Sequence, residues 1–376
     1  MTRVALYADR LGRTAPTGVG VYTARLLAHL PDAAPDLAVS AVTLPEAEPP
    51  AVVRDGLDVH HLAASRRATA LRWTLLRSPR LETLGVEADL VHVLTTVSVP
   101  TRRPLVYTIH DLTPLLFPDQ YSRRHRFLSK RALDLAVETS SHLISVSERT
   151  ARDLVEHYGV ARDRITVVHL GFDGAGEVPG PEAVRAVRAA FGLDGPYVAY
   201  IGSLTRRKNL AVLVRAFDEV RRAVPGAKLV LAGRPGLGAD EIHRAVDACG
   251  LGDAVVFTGY VSDASARALL RGADVFAFPS IYEGFGIPPL EAMAQGTPVV
   301  TCPAGAVEEV VGDAAVLSDP DDPSRLAHDL VRVLTDPDLA RELRARGARR
   351  VEAFSWERMA AETAAVYRGV LGRGPA

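Results

Sequence analysis

Short apolar runs alternate with helix-like segments along this 376-residue chain. The runs are apolar almost throughout, as parallel strands buried on both faces are. A stretch rich in Gly and Pro at 175–181 interrupts the pattern once, and the alternation then restarts. A chain of this length has room for two hydrophobic cores. The pattern therefore predicts an α/β protein with two doubly wound, Rossmann-like domains.

The predicted strands share this apolar character and occur on both sides of the interruption. They are 4–8, 37–42, 59–62, 89–94, 104–109, 143–146, 165–168, 197–201, 228–232, 255–258, 273–278 and 299–302. The corresponding domain bounds are 1–173, a linker at 174–188, 189–355, and a closing helix at 356–376.

One strand–loop–helix unit, at 273–296, has the features of a phosphate site. After its strand, Gly284 and Gly286 allow a tight turn and a close approach of the backbone to a ligand. Pro289 suits the first turn of the following helix, and Gly296 ends it. Free N–H groups and the positive end of the helix dipole at such a start favour a phosphate.

Two carboxylates, Glu283 and Glu291, bracket this loop. A carboxylate beside a phosphate cradle is better suited to accept hydrogen bonds from sugar hydroxyls. The unit therefore indicates recognition of a sugar phosphate or a nucleotide sugar. The alternative is an ordinary turn whose glutamates are solvated.

A basic cluster, Arg206, Arg207 and Lys208, lies just after the strand 197–201 and Gly202. Cations at a helix start are unfavourable without an anion, so the cluster also predicts a phosphate. The alternative is three solvated cations.

In the first half of the chain, His110 follows the strand 104–109, and a small glycine loop with Gly18 and Gly20 is predicted at 17–22. Side chains at the carboxyl ends of parallel strands can face a ligand crevice. From the residues alone, a structural histidine is as good an interpretation of His110 as a ligand contact. The glycine loop is weak evidence of a phosphate site, which its place after the first strand strengthens, and a simple turn is the alternative. Asp111 can orient His110, contact an acceptor, or cap a turn.

Two basic segments could each bind an anionic partner, and the sequence does not decide which kind. The predicted helix 64–78 carries four arginines beside Trp73, and a basic run spans 123–131, beginning at Arg123 and Arg124. Either could bind an anionic membrane surface or an anionic acceptor. For the first, burial of Trp73 with solvated arginines is the favoured interpretation.

Composition narrows the class of protein. The formal net charge is −1, which predicts no general attraction to nucleic acid. Two cysteines, far apart, indicate a reducing cytosol rather than a disulfide framework. We expect no signal peptide and no membrane span, hence a cytoplasmic protein for which peripheral membrane contact stays open. We also expect no metal site, because the two Asp-Pro-Asp triplets, 319–321 and 336–338, fit turns and helix caps better.

The run Glu-x7-Glu around Gly-Phe-Gly-Ile-Pro-Pro-Leu-Glu, followed by Ala-x-Gly-Thr-Pro-Val-Val at 294–300, resembles the donor-site signature of glycosyltransferase family 4. That resemblance covers nearly the whole chain, at 17–20, 108–112 and 202–209 as well. It implies a GT-B fold, with two domains facing each other across a cleft, and a retaining transfer from a nucleotide-diphospho-sugar to a hydroxyl acceptor, as in bacterial mannosyl- and glucosyltransferases. It implies no cofactor and no metal, and a last helix that crosses back to the first domain.

The resemblance also assigns roles to individual residues. The implied catalytic residues are His110, Lys208 and Glu283. The implied donor-binding residues are Gly18, Gly20, Ser203, Arg207, Lys208, Glu283, Phe285, Gly286, Ile287 and Glu291. The implied acceptor side comprises Asp111, Arg123 and Arg124. Many members carry arginine at the position of Ser203, so the sharing of diphosphate charge between Arg207 and Lys208 stays open.

Two other classes of function remain at this stage. One is a nucleotide-sugar epimerase or a phosphorylase-type enzyme on the same fold, since a fold does not fix chemistry. The other is a non-catalytic nucleotide-sugar-binding subunit. The donor base, the sugar and the acceptor are not predicted.

Overall fold

The structure is a computed structural model that describes residues 1–9, 18–44, 57–63, 66–174 and 176–372. It contains two compact units. Unit 1 comprises Met1–Gly171 and Phe354–Ala376, and unit 2 comprises Phe172–Ala353.

The described part of unit 1 has a sheet of seven parallel strands in the order β3-β2-β1-β4-β5-β6-β7. The strands are β1 (Thr2–Tyr7), β2 (Leu37–Thr43), β3 (Asp58–His61), β4 (Leu90–Val93), β5 (Leu105–Ile109), β6 (His142–Ser145) and β7 (Ile165–Val167). The helices are α1 (Gly18–Ala33), α2 (Arg66–Leu76), α3 (Thr113–Leu116), α4 (Arg123–Thr139), α5 (Glu148–Tyr158) and the terminal α14 (Trp356–Gly372). The strand order reverses between β1 and β4, which is the topological switch point of this sheet.

The two faces of this sheet differ in chemistry. One face belongs to an apolar cluster that includes Tyr7, Val93 and Tyr107, with Trp73 of α2 fully buried in it. Alternate residues point to opposite faces of a strand, so His92 and Thr108, both fully buried, lie on the other face. Helices α1 and α14 pack against each other in this unit.

The described part of unit 2 has a sheet of six parallel strands in the order β10-β9-β8-β11-β12-β13. The strands are β8 (Tyr197–Ile201), β9 (Lys228–Ala232), β10 (Val255–Gly259), β11 (Val275–Phe278), β12 (Val299–Thr301) and β13 (Val316–Leu317). The helices are α6 (Pro181–Ala190), α7 (Leu210–Ala223), α8 (Ala239–Ala248), α9 (Asp263–Gly272), α10 (Ile287–Ala294), α11 (Val307–Val311), α12 (Pro323–Thr335) and α13 (Pro337–Val351). The switch point here lies between β8 and β11.

The predicted fold class is therefore confirmed, two local predictions need correction, and one strand was not predicted. The glycine loop predicted at 17–22 is wrong from Gly18 onward: Gly18 and Gly20 lie in the first turn of α1, and residue 17 is outside the described residues. Of the predicted linker 174–188, the part from Pro181 onward is helical and packs against α9. Strand β13 was not predicted, because two residues are too short for a periodic signal.

The predicted helix 64–78 corresponds to α2, and residues 64 and 65 lie outside the described part of the chain. Trp73 is buried there and its indole Nε1 donates to the Pro79 carbonyl over 2.9 Å, which confirms the predicted burial of this residue and leaves membrane contact of the helix a prediction. Among the described residues, no helix is both long enough and apolar enough to cross a membrane.

Candidate active site

The basic cluster of unit 2 sits at the switch point of its sheet. Residues 202–208 follow β8 directly. A short 3-10 turn over Arg206–Lys208 brings Arg207 and Lys208 toward the end of β11. Asn209 has a φ of 57°, and this left-handed residue separates the turn from α7. The Arg207 carbonyl accepts from the Ile281 N–H over 3.0 Å, which joins the two loops.

Glu283 lies at the centre of these loops. Its Oε1 accepts from Lys208 Nζ at 2.6 Å and lies 2.8 Å from Arg207 Nη1. The three side chains are 9%, 20% and 12% exposed for Lys208, Arg207 and Glu283 respectively. The Lys208 ammonium also stands 4.8 Å from the centre of the Phe278 ring. Two cations thus share one carboxylate, which leaves a net charge of +1 in a nearly closed site.

Electrostatics keep that carboxylate ionised. Burial alone would raise the pKa of Glu283, but the ammonium of Lys208 and the guanidinium of Arg207 outweigh it and hold the pKa below its usual value.

The backbone of Glu283 is held by a loop that sequence reasoning missed. Its N–H donates to Ala304 O over 3.2 Å, and its carbonyl accepts from Ala306 N over 2.9 Å. Gly305 lies between them with φ +66°, and a Cβ there would sit 2.3 Å from the Glu283 carbonyl oxygen. The only signal in the sequence is the run of small residues after β12, which is too common to interpret without the fold.

The glycine-rich loop ends at the start of α10. Gly286 precedes the helix with φ 108°, and Pro288 and Pro289 occupy its first turn. Phe285 is buried, and Ile287 opens the helix. Because the two prolines have no N–H, the donors at this start are the N–H groups of Gly286 and Ile287, and the predicted phosphate contact stays a prediction.

Glu291 lies one turn into α10 and is half-buried. Burial raises the pKa of this carboxyl, and the nearby Asp263 adds to the rise. In the described part of the chain, no side chain donates a hydrogen bond to the Glu291 carboxylate or forms an ion pair with it. A half-buried carboxylate in this state is suited to accept from a ligand hydroxyl.

Two other members of the predicted donor loop have different surroundings. Ser203 is exposed, and its carbonyl accepts from Tyr200 Oη over 3.0 Å. Arg206 pairs with Glu241 on the surface, away from Glu283. The structure thus brings Arg207, Lys208 and Glu283 together and assigns Arg206 to a surface ion pair.

In unit 1, His110 follows β5 at the carboxyl edge of the sheet. Its Nε2 lies 3.0 Å from the Leu94 carbonyl, so Nε2 carries the proton and donates, and Nδ1 is left as an acceptor. Burial lowers the pKa of His110, and the opposing effects of that carbonyl and of Asp111 are smaller. A neutral imidazole with a fixed tautomer can accept a hydrogen bond from a hydroxyl.

The remaining predicted residues of unit 1 lie near this edge or on the surface. Gly18 has open space around it in α1, while Gly20 is buried. Asp111 Oδ1 accepts from the Thr113 N–H over 2.8 Å and so closes a turn just before α3, which fits the turn-capping role among its three predicted roles. Arg123 and Arg124 are exposed at the start of α4.

The acidic triplets behave as turns and caps. Asp319 Oδ1 accepts from Asp321 N, and Asp336 caps α13 through two backbone N–H groups. Within the described residues, Asp153, Glu156 and His157 of α5 have ligand atoms within 4.8 Å of one another. Arg149 already pairs with Asp153, which makes this an ion-pair group on a surface helix.

Comparison with known proteins gives the identity of the family. Residues 186–350 match the sequence model described as glycosyl transferases group 1, and residues 16–175 match the one described as glycosyltransferase family 4. Alpha-maltose-1-phosphate synthase from Mycolicibacterium smegmatis is 34% identical over 287 residues, covering 71% of this chain and 73% of that protein. This chain belongs to glycosyltransferase family 4. O-antigen chain mannosyltransferase B from Escherichia coli is 29% identical over 269 residues, covering 70% of each chain.

Solved structures support the GT-B fold of this family 4 glycosyltransferase. Sucrose-phosphate synthase from Thermosynechococcus elongatus superposes with a TM-score of 0.77 at 23% identity and full coverage of both chains. HepE from Anabaena, in complex with UDP and glucose, superposes with a TM-score of 0.76 at 19% identity, covering 98% of this chain and 100% of that one. At these identities the likeness concerns the fold alone.

Proposed function

We propose that this glycosyltransferase moves a sugar from a nucleotide-diphospho-sugar to a hydroxyl acceptor, with retention of the anomeric configuration and without a metal ion. The observation that carries the proposal is the convergence of Arg207 and Lys208 on Glu283 at the switch point of unit 2. Ligands of open α/β sheets bind at that position.

The charge of the cluster suits a diphosphate. Glu283 neutralises one of the two cations, so one positive charge remains for the ligand, beside the N-terminus of α10. When the sugar–phosphate bond breaks, its electron pair passes to the departing diphosphate, and preorganised cations stabilise that charge. These groups supply the role that a metal has in other glycosyltransferases, so the proposal requires none.

The other roles follow from the same chemistry. Glu291 accepts from the ribose hydroxyls, and Glu283 accepts from a hydroxyl of the transferred sugar. The backbone N–H groups at 285–287 bind the phosphate. His110 accepts a hydrogen bond from the transferred sugar through Nδ1, which its neutral state permits.

The test of the donor class uses purified protein and a panel of nucleotide sugars in thermal shift. The binding donors are then incubated with candidate acceptors, and the product anomer is assigned by NMR. We expect a product with the donor's anomeric configuration and unchanged activity in EDTA. Inversion of configuration would refute retention, and loss in EDTA that Mn²⁺ or Mg²⁺ restores would refute metal independence.

The role of His110 has its own test. We expect His110→Ala to lower turnover by about 10²-fold, within the range for one positioned polar group, and to leave nucleoside diphosphate affinity nearly unchanged. Near-normal turnover in the folded variant would return His110 to a structural role.

We further propose that unit 1 contacts an anionic membrane through α2 and the start of α4. The outer face of α2 carries Leu71, Leu75 and Leu76, which are 41%, 55% and 69% exposed, with Arg72 exposed beside them. Trp73 occupies the opposite, buried face of the helix, so these leucines are turned toward solvent.

The start of α4 adds charge to this surface. Residues 123–127 are all exposed, three of them are arginines, and Phe127 is 61% exposed. Helices α2 and α4 are in contact, so the two helices belong to one region of unit 1. Apolar side chains among cations suit the interface of an anionic bilayer, where each basic residue contributes roughly 1 kcal/mol.

Cosedimentation with vesicles tests this contact. We expect binding to vesicles containing phosphatidylglycerol and much less to phosphatidylcholine alone, with loss in the double variant Leu75→Ser/Leu76→Ser. Leu237→Ser is the matched control, because Leu237 is 54% exposed on unit 2. Equal sedimentation of the wild type and the double variant would refute the membrane contact. Dissociation of a dimer by the double substitution would also refute it, because the leucines would then form a contact between two copies of the protein.

A further inference from the structure

Four polar side chains form one buried chain on the face of the unit 1 sheet opposite its apolar cluster. Tyr367 Oη lies 2.6 Å from His92 Nδ1, and His92 Nε2 lies 2.8 Å from Thr108 Oγ1. Thr108 Oγ1 lies 2.9 Å from Tyr22 Oη. The four residues are at most 1% exposed and come from β4, β5, α1 and α14.

Each of the three links of this chain can pair a donor with an acceptor. Burial lowers the pKa of His92 to about 3, so its imidazole is neutral and offers one donor and one acceptor. Burial likewise raises the pKa values of Tyr22 and Tyr367, so both stay protonated. With the Thr108 hydroxyl, the chain has a donor and an acceptor at every link. Hydrogen bonds made at every link of a buried chain hold its side chains in fixed positions.

This chain ends against His110. Thr108 lies in β5, and His110 follows two residues later, just past the end of that strand. The Tyr22 ring packs edge-on against the His110 ring, with centroids 4.9 Å apart and planes at 83°. The Leu94 carbonyl holds Nε2 of His110, and the Tyr22 ring limits rotation of the imidazole about that hydrogen bond.

We propose that Tyr22 is a positioning residue for His110, and that Thr108, His92 and Tyr367 hold Tyr22 in place. The proposal rests on the proposed role of His110. Helix α14 then helps, through Tyr367, to orient Nδ1 of the His110 imidazole. An imidazole free to tilt would reach the substrate hydroxyl in only a fraction of molecules, so the effect falls on turnover.

A double-mutant cycle tests the proposal. Tyr22→Phe keeps the ring and removes the hydroxyl, and kcat, KM and Tm are measured in the wild-type and the His110→Ala backgrounds. We expect Tyr22→Phe to lower kcat about 3–10-fold in the wild-type background and to have no effect on kcat once His110 is alanine. The loss in Tm should be the same in both backgrounds, because the buried hydrogen bond is lost in each.

The matched control is Tyr107→Phe. Tyr107 lies on the same strand but on the opposite face, and its buried hydroxyl accepts from Val99 N over 3.1 Å. We expect this change to lower Tm without changing kcat. Tyr367→Phe, at the far end of the chain, should reproduce the kcat loss of Tyr22→Phe in smaller measure and serves if Tyr22→Phe does not fold.

Two results overturn the proposal in distinguishable ways. An equal kcat loss for Tyr22→Phe in both backgrounds would mean that Tyr22 acts independently of His110. Near-normal kcat in His110→Ala alone would instead remove the proposed role of His110, on which the positioning depends.

Discussion

Replacing Lys208 with methionine removes the charge of the most buried cation of the active site and nearly preserves its volume. The Lys208 side chain is 9% exposed, and its Nζ makes a 2.6 Å contact with Glu283 Oε1. Removing one partner of a buried ion pair typically costs about 3–5 kcal/mol, because the other charge is left uncompensated.

In this site the loss should be smaller. Arg207 Nη1 lies 2.8 Å from the same carboxylate oxygen, so Glu283 keeps one cation after the substitution. We therefore expect the free energy of unfolding to fall by about 2 kcal/mol near pH 7, in the range for one lost charge-assisted hydrogen bond.

The sign of the pH dependence follows from Glu283. Its pKa in the folded protein is below the usual value, so its pairing stabilises the fold above the unfolded-state pKa and that stability is lost as pH falls through the folded-state pKa. A protonated Glu283 has no ion pair to lose. The difference in unfolding free energy between wild type and Lys208→Met should therefore shrink on acidification through this range.

Urea unfolding of both proteins between about pH 7 and about pH 3, a range that extends below the usual pKa of a glutamate, measures this difference. Lys228→Met is the control, because Lys228 Nζ donates to the Gly192 carbonyl over 2.7 Å instead of pairing with a carboxylate. Its effect on stability should be independent of pH in this range. A pH-independent difference for Lys208→Met as well would refute the argument that Lys208 acts through the charge of Glu283.

Three further substitutions test other parts of unit 2. Glu291→Ala should weaken nucleoside diphosphate binding by about 1–3 kcal/mol in calorimetry, and unchanged affinity would contradict its role at the ribose. Gly305→Ala should abolish most turnover by displacing Glu283, whereas Gly159→Ala, with a similar φ of +63° and open space around it, should only lower stability by about 1–3 kcal/mol. Turnover retained in folded Gly305→Ala would refute the argument that the loop around Gly305 holds Glu283 in place. Arg206→Ala removes an exposed ion pair and should change unfolding free energy by less than about 1 kcal/mol, and a larger loss in urea unfolding would contradict its surface assignment.

Much of the fold was predictable because its signals are local. Apolar runs at 197–201 and 228–232 are strands with the predicted bounds, since strands buried on both faces contain little else. The approach of Arg207 and Lys208 to Glu283 was not predicted as a contact, although each was singled out. The two loops are 75 residues apart in the chain, and only the order of the strands brings them together.

The errors have equally physical causes. Gly18 and Gly20 indicated a loop because glycine disfavours helix interiors, but the first turn of a helix tolerates it. The polar chain through His92 and Tyr367 joins residues 275 apart, and a lone histidine in a strand or a lone tyrosine in a helix gives no sign of the other. Pairings of this kind depend on tertiary packing that no local pattern encodes.

The division of unit 1 between both parts of the chain also sets an order of events during synthesis. Residues 172–353 are translated after β7 and before α14. At roughly 5–20 residues per second, this takes about 10–35 s. During that interval His92 lacks the hydroxyl of Tyr367, and the face of the sheet that α14 will share is open to water. A chain interrupted before Trp356 therefore holds every residue of the donor site and still lacks part of unit 1. The sensitivity of unit 1 to proteolysis should therefore report whether translation has passed α14.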